Sequence, residues 1–184
     1  MKDDVYNIVL NSSLISDPSL AEDLYEEQYQ WLQERLEYAR NTKHAKLIFI
    51  FTHHPWFLYD ENEDANDLHG TSIVVDFHAP NVKIPDGYFH IPKTRRLQYM
   101  KLFQQFNVTA CFSGHFHQNL ISKTSFGMDM IITGPLSVIL QSDGIPSKRS
   151  SSSSDVDEPN ARGIRLVEVN GDGDGSFTHQ FLPL

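Results

Sequence analysis

The sequence predicts an α/β fold, in which helices alternate with the strands of a sheet. Residues 5–10, 46–52 and 108–113 are short apolar runs with the composition of buried strands. A helical pattern separates each run from the next, over residues 19–39 and 92–106. Repeats of strand, helix and strand are typical of sheets that collect ligands at the carboxyl ends of their strands.

Composition indicates one domain or a part of one. The chain has 184 residues, of which 40% are hydrophobic. This length and composition suffice for one hydrophobic core, but the chain is short for two domains. A formal net charge of -9 without a long basic patch argues against nucleic acid as a partner. The sequence carries no signal for an oligomeric state.

The compartment is predicted from the cysteine content and the start of the chain. Cys111 is the single cysteine, and Met1-Lys2-Asp3-Asp4 lacks the basic and apolar regions of a signal peptide. No apolar run approaches the length of a membrane span. We therefore predict a cytoplasmic protein without a membrane partner, and we expect Cys111 to be an inert core thiol.

The first predicted helix begins near Ser19, which is a plausible N-cap because Glu22 follows three residues later. Its apolar positions recur at helical spacing. They are Leu20, Leu24, Trp31, Leu32, Leu36 and Ala39. This pattern predicts a long amphipathic helix that covers one face of the sheet.

The second predicted helix, over residues 92–106, has Leu97, Met100 and Phe103 on its apolar face. Arg95 and Arg96 are expected on its solvent face. The helix leads directly into the strand at residues 108–113, so this region repeats the earlier unit of helix and strand.

The remaining strands are predicted near the end of the chain. Residues 128–133 form an apolar run, and residues 164–169 and 177–182 flank a glycine-rich turn as in a β-hairpin. The turn resembles the start of a calcium loop, but Phe181 occupies the position of the required glutamate. An ordinary turn is therefore predicted.

Two polar segments are predicted to be loops. Residues 58–92 include acids at 60–67, expected to be solvated, and an irregular, proline-containing stretch suited to substrate contacts. A serine-rich insertion at about residues 145–162 has too few apolar side chains to order itself and is predicted to be disordered.

Histidines follow two of the predicted strands. His53 and His54 come directly after the strand at 46–52, and His115 and His117 come directly after the strand at 108–113. Gly114 is expected to permit a sharp turn that aims the second pair inward. Since ligands collect at one edge of such a sheet, the two pairs predict a metal site there.

The residues around these histidines resemble the last two motifs of calcineurin-like metallophosphoesterases. The matching motifs are His53-His54-Pro55 and Gly114-His115-Phe116-His117. The chain most resembles the calcineurin-like phosphoesterase domain-containing proteins, some of which are serine/threonine phosphatases. Further matches to that subgroup are Val9-Leu10-Asn11-Ser12, Gln30-Trp31-Leu32 and Phe112-Ser113-Gly114-His115.

The resemblance implies a sandwich of two mixed β-sheets flanked by helices, with two divalent cations (manganese, iron or zinc) at the sheet edge. By motif position, His53 and His115 would bind the second cation and His117 the first, whereas His54 occupies a variable position. The family takes its bridging aspartate, asparagine ligand and catalytic histidine from three earlier motifs. These motifs are missing here, so no catalytic residue is identifiable.

We therefore expect residues 1–184 to be the C-terminal portion of one such domain, without its N-terminal strands and motifs. An isolated chain of this kind would expose apolar faces and a sheet edge, so we expect poor solubility.

The implied function is that of a metal-dependent phosphoric ester hydrolase acting on a phosphorylated substrate. A phosphomonoester, or the phosphoserine or phosphothreonine of a phosphoprotein, is the expected substrate class. Two alternatives stay open. One is an inactive remnant that serves as a binding module, and the other is a phosphodiesterase or nucleotide hydrolase of the same superfamily, because metal motifs say little about the leaving group.

Overall fold

The computed structural model describes residues 4–64, 71–74, 82–137, 141–143, 161–170 and 175–184. The α-helices within these residues are α1 (Ser12–Ser16), α2 (Glu22–Glu37) and α3 (Lys93–Gln105). The strands are β1 (Val5–Val9), β2 (Leu47–Phe51), β3 (Thr71–Val74), β4 (Val82–Pro85), β5 (Ala110–Ser113), β6 (Leu120–Lys123), β7 (Asp129–Ile132), β8 (Gln141–Asp143), β9 (Gly163–Val169) and β10 (Phe177–Pro183).

A five-stranded mixed sheet forms the centre of the fold, in the order β1-β2-β5-β7-β6. The first four of these strands are parallel, and β6 is antiparallel to β7. The parallel strands therefore end at one edge, where the segments that follow them meet. The predicted α/β class and the predicted strands at residues 5–10, 46–52, 108–113 and 128–133 are confirmed.

One face of the sheet packs against α2 and α3. Alternate strand residues point to this face because successive side chains of a strand lie on opposite sides. They are Ile8, Ile48, Ile50, Cys111 and Met130, which share one buried cluster with Leu32, Leu36, Tyr99 and Phe103 of the helices. Burial of each large apolar side chain contributes about 1.5–3 kcal/mol. Cys111 is fully buried, as predicted for a core thiol.

The other face of the sheet packs against the antiparallel hairpin of β9 and β10. The ring of Phe177 lies 5.0 Å from that of Phe49 and 6.4 Å from that of Phe112, measured between centroids. The predicted hairpin at residues 164–182 is thus confirmed, and it supplies the second β layer. Its turn at 171–174, where the calcium alternative was considered, lies outside the described residues.

The segment 58–92 was predicted from the sequence to be a loop. In the structure, part of this segment forms strands. Its strands β3 and β4 pair antiparallel, and β3 also pairs with β8, which lies about seventy residues further along the chain. Such long-range pairing leaves no local sequence signal. The serine-rich insertion lies largely outside the described residues.

The start of α2 differs from the prediction. The N–H of Ala21 donates to the carbonyl of Pro18 (2.8 Å), so residues 18–21 form a turn and the helix begins at Glu22. Leu20 and Leu24 are 99% and 57% exposed, so their assignment to the apolar face was wrong. The buried positions are Tyr25, Leu32 and Leu36.

The apolar face of α3 is rotated relative to the prediction. Met100 and Phe103 are buried as expected, but Leu97 is 39% exposed and Arg96 is fully buried. Arg96 lies one turn before Tyr99 and Met100, so it shares their face. The solvent-face assignment was also wrong for Arg95, which is only partly exposed and donates to the carbonyl of Ser16. No helix in the described part of the chain is long and apolar enough to span a membrane.

Candidate metal centre

Three histidines converge at the carboxyl edge of the central sheet. His53 and His54 follow β2, and His115 follows β5, its parallel neighbour. One potential ligand atom from each ring lies within 4.8 Å of the others. The sequence-based expectation that two strands bring their histidines together at one sheet edge agrees with this placement.

The ring contacts show how compact the cluster is. The centroids of His54 and His115 lie 4.3 Å apart, and His53 lies 4.8 Å from His115 and 4.9 Å from His54. His53 is exposed, whereas His54 and His115 are half-buried. The cluster therefore lies at the surface with one open side.

Ser12 organises the turn that carries His53 and His54. The Ser12 side chain is buried, and its Oγ accepts hydrogen bonds from the backbone N–H groups of His53 (3.1 Å) and His54 (2.9 Å). The same oxygen lies 3.0 Å from Nδ1 of His54. The hydroxyl of Thr52 donates to the carbonyl of His54 (2.8 Å) and holds the turn from its other side.

The electrostatic setting keeps two of the imidazoles neutral near pH 7. Burial, and then the adjacent His54, His53 and His117, together lower the pKa of His115 to about 4. Burial, and then His53, also lower the pKa of His54. A neutral imidazole has a lone pair to offer, which is the state that a metal ion requires.

Backbone strain marks the turn after β5. His115 and His117 have φ values of 62° and 59°, in the left-handed region that L-residues other than glycine seldom occupy. Strained conformations of this kind collect at functional sites. Gly114 has no positive φ, and a Cβ at its position would meet nothing within 4 Å. The prediction that Gly114 makes the turn was therefore wrong.

His117 is half-buried and lies close enough to His115 to affect its pKa. It is not among the three residues whose ligand atoms lie within 4.8 Å of one another. Buried Phe116 separates His115 from His117 and anchors the turn among Leu58, Phe89 and Ile132.

An aromatic wall borders the cluster. The rings of Tyr88 and Phe89 lie 5.7 Å and 5.6 Å from that of His115. Phe89 is buried against Phe116, whereas Tyr88 is 61% exposed. These residues belong to the segment that the sequence had associated with substrate contacts.

A buried polar group behind the site was missed in the sequence. Glu63 was assigned to a solvated loop, yet it is only 3% exposed. Its carboxylate accepts the backbone N–H groups of Leu58, Tyr59 and Asp60, and it lies 3.6 Å from Nε2 of His90. A signal was nevertheless present in the sequence. The apolar run Trp56-Phe57-Leu58 lies just before the acids, and its burial brings the neighbouring residues into the interior.

The donor set suits a divalent transition-metal ion. Imidazole nitrogens bind zinc at about 2.0–2.1 Å, so two ligands of one ion lie at most about 4.2 Å apart. Small side-chain rotations would bring nitrogens within 4.8 Å to that spacing. The cluster contains three imidazoles and, among the described residues, no carboxylate. The metal's positive charge would thus be left uncompensated and available to an anion.

A separate cavity lies at the opposite, amino edge of the parallel strands. Its volume is about 610 Å³, and Arg40, Gln104 and Asn107 contribute to its lining. Arg40 uses its guanidinium to bind the carbonyls of Phe106 (2.7 Å) and Lys46 (3.2 Å), as well as those of Ala45 and Asn107. This arginine holds loops together, and we assign the cavity no role in the site.

The fold is of the metallophosphoesterase type. GAP50, described as the anchor in the inner membrane complex of Plasmodium, superimposes with a TM-score of 0.64 at 14% identity, over 97% of this chain and 45% of that chain. This similarity concerns the fold alone. No family model matches the chain.

Sequence comparison identifies the group of phosphoesterases that this chain resembles. The chain is 31% identical over 129 residues to the serine/threonine-protein phosphatase CPPED1 of Pongo abelii, covering 70% of this chain and 34% of the relative. The human protein of that name gives 30% identity over the same shares. The Bos taurus protein is 30% identical over 179 residues, or 96% of this chain and 43% of the relative.

The chain is therefore a homologue of the calcineurin-like phosphoesterase domain-containing phosphatases, and the resemblance inferred from its motifs is confirmed. It spans about a third to two fifths of the length of these relatives.

Proposed function

We propose that this chain contributes to a metal-dependent phosphoric ester hydrolase that acts on phosphomonoesters. The observation that carries the proposal is the convergence of His53, His54 and His115 at the carboxyl edge of the sheet. The relatives are named serine/threonine-protein phosphatases, which favours phosphoserine or phosphothreonine of a protein as the substrate. The proposed ligands are His53, His115 and His117, as in the sequence-based assignment.

The residues of this chain prepare the site in three ways. The lowered pKa of His115 keeps its imidazole unprotonated at neutral pH. The left-handed backbone at His115 and His117 fixes the direction in which the two side chains leave the chain. Phe89 and Tyr88 cover one side of His115, reduce its access to water and thereby strengthen electrostatic interactions there.

A divalent ion held by these histidines would supply positive charge that stabilises the charge developing on the phosphoryl oxygens during hydrolysis. Three neutral imidazoles do not offset that charge. A dinuclear centre, which we propose by resemblance, also needs carboxylates to reduce the repulsion between its ions. The three-histidine cluster contains none among the described residues, so this centre requires ligands from outside the cluster.

Hydrolysis of 4-nitrophenyl phosphate by the purified chain, with and without manganese, tests the proposal. We expect manganese-dependent turnover that is lost in His115→Asn, a change that removes the imidazole while asparagine tolerates the left-handed backbone. His44→Asn is the matched control, because His44 is exposed and also has a positive φ. Equal turnover in wild type and His115→Asn would refute the proposal.

The same composition of the cluster favours a second candidate function. The proposed ligands His53, His115 and His117 could hold a single ion at a binding module that has no hydrolytic activity. A folded chain that binds metal but does not hydrolyse 4-nitrophenyl phosphate would support this candidate over the enzyme.

A further inference from the structure

The hydrogen bonds of Ser12 determine which nitrogen of His54 carries the proton. A serine hydroxyl has one proton to donate and two lone pairs that accept. Both acceptor positions of Ser12 are taken by the backbone N–H groups of His53 and His54. Only the hydroxyl proton remains for the third contact, the 3.0 Å approach to Nδ1 of His54.

Nδ1 of His54 must therefore be the acceptor in this contact. In a neutral imidazole one nitrogen accepts and the other carries the proton, so the proton of His54 is on Nε2. A nitrogen that carries a proton has no lone pair for a metal ion. Neither nitrogen of His54 is thus available as a metal ligand, although its ring lies within the cluster.

We propose that His54 is a hydrogen-bond donor to a phosphoryl oxygen held at the metal centre, with Ser12 as its positioning residue. This inference rests on the proposed function and assigns a role to the histidine that the family motif leaves variable. It also separates His54 from the proposed ligands His53 and His115.

The position of the ring supports this role. Its centroid lies 4.3 Å from that of His115, so the ring lies directly beside a proposed metal ligand. The ring is half-buried, and a hydrogen bond to an anion is stronger in such an environment than in water. Ser12 is buried and holds both the ring and its backbone, so the donor is fixed before the ligand binds.

The tautomer is tested directly by long-range proton–nitrogen NMR correlation of the histidine rings in the metal-free chain. We expect the His54 signals of the tautomer with the proton on Nε2. In Ser12→Ala we expect a mixture of tautomers, whereas Ser13→Ala, an exposed neighbour in α1, leaves the pattern unchanged. A proton on Nδ1 of His54 in the wild type would overturn the proposal.

The role is tested by calorimetric titration of the chain with zinc, followed by titration of the zinc-loaded chain with inorganic phosphate. We expect His54→Ala to keep its zinc affinity within about twofold and to bind phosphate about tenfold more weakly, as for one lost hydrogen bond to a charged group. His54→Gln retains an N–H donor and should recover most of the phosphate affinity.

The outcomes separate this inference from the proposed function. Loss of zinc affinity in His54→Ala would make His54 a ligand and overturn the inference, as would phosphate binding that is unchanged in His54→Ala. If the zinc-loaded wild type bound no phosphate at all, the proposed function would fail and the inference with it. If the zinc-loaded wild type bound phosphate and His54→Ala bound it equally well, the inference about His54 would fail, whereas the proposed function would remain supported.

Discussion

Oε1 of Glu63 lies 3.6 Å from Nε2 of His90, and both side chains are almost completely buried. Arg96 completes this group by donating to the carbonyls of Trp56 (2.8 Å) and Ile91 (3.1 Å), and also to that of Glu63. The group joins α3 to the segment that follows His53 and His54. It therefore fixes one side of the turn that carries His53 and His54 from inside the protein.

Arg96→Lys is expected to destabilise the fold by about 2 kcal/mol. A lysine keeps the charge but cannot reproduce the fork of donors, so buried carbonyls lose their partners. Urea unfolding followed by tryptophan fluorescence measures this change. Lys101→Arg, the reverse exchange at an exposed position of α3, should change the free energy of unfolding by less than about 0.5 kcal/mol. Equal stability of Arg96→Lys and wild type would show that the buried network contributes little.

Acid should weaken the metal-free fold through His90. Burial lowers the pKa of His90 below its ordinary 6.5, although nearby Glu63 partly offsets this. The unfolded chain then binds more protons, so the free energy of unfolding falls as the pH drops below about 6.5, by at most about 1.4 kcal/mol per pH unit. The loss ends once the pH is below the lowered pKa of the folded state.

His90→Gln removes this titration and should reduce the dependence of stability on pH in that range. His54 and His115 also have lowered pKa values, so part of the slope will remain in His90→Gln. An unchanged slope in His90→Gln would mean that His90 is not the buried neutral group described above.

Gly114→Ala should be tolerated despite its place between β5 and the histidines. Gly114 has an ordinary φ and open space at its Cβ position, so alanine should change stability by less than about 1 kcal/mol and leave zinc affinity intact. Gly163→Ala is the contrasting variant, because its Cβ would clash with the carbonyl oxygen of Leu182. Thermal unfolding of both variants compares them, and severe destabilisation by Gly114→Ala would contradict the described turn.

His117→Asn is expected to weaken zinc binding at least tenfold. The change removes a proposed ligand and introduces asparagine, a residue type that tolerates the φ of 59° at this position. Calorimetric titration measures the affinity, with His44→Asn as the control. Wild-type affinity in His117→Asn would remove His117 from the ligand set.

The sheet and the position of its histidines were predictable because both depend on local pattern. Short runs of β-branched and aromatic residues mark β1, β2, β5 and β7, and the histidines follow two of these strands directly. The carboxyl ends of parallel neighbours necessarily meet. Two clusters about sixty residues apart in sequence could therefore be expected at one edge.

The details that were missed depend on contacts between distant residues. Ser12 contacts His54 because β1 and β2, the strands that precede these residues, pair in parallel. The spacing of the two residues in the sequence does not predict this contact. The burial of Glu63 and Arg96 likewise depends on a contact between residues that are 33 positions apart in the sequence. Arg96 was assigned to the solvent face because arginine is seldom buried, although its position one turn before Tyr99 puts it on the buried face.

We propose that the histidine cluster at the sheet edge holds a divalent ion. The most direct test is to load the purified chain with zinc, remove unbound metal by gel filtration and measure the zinc content per chain by mass spectrometry. We expect at least one ion per chain in the wild type and in His44→Asn, and loss of that ion in His115→Asn. A folded wild type that retains no zinc, or His115→Asn that retains as much as wild type, would contradict it.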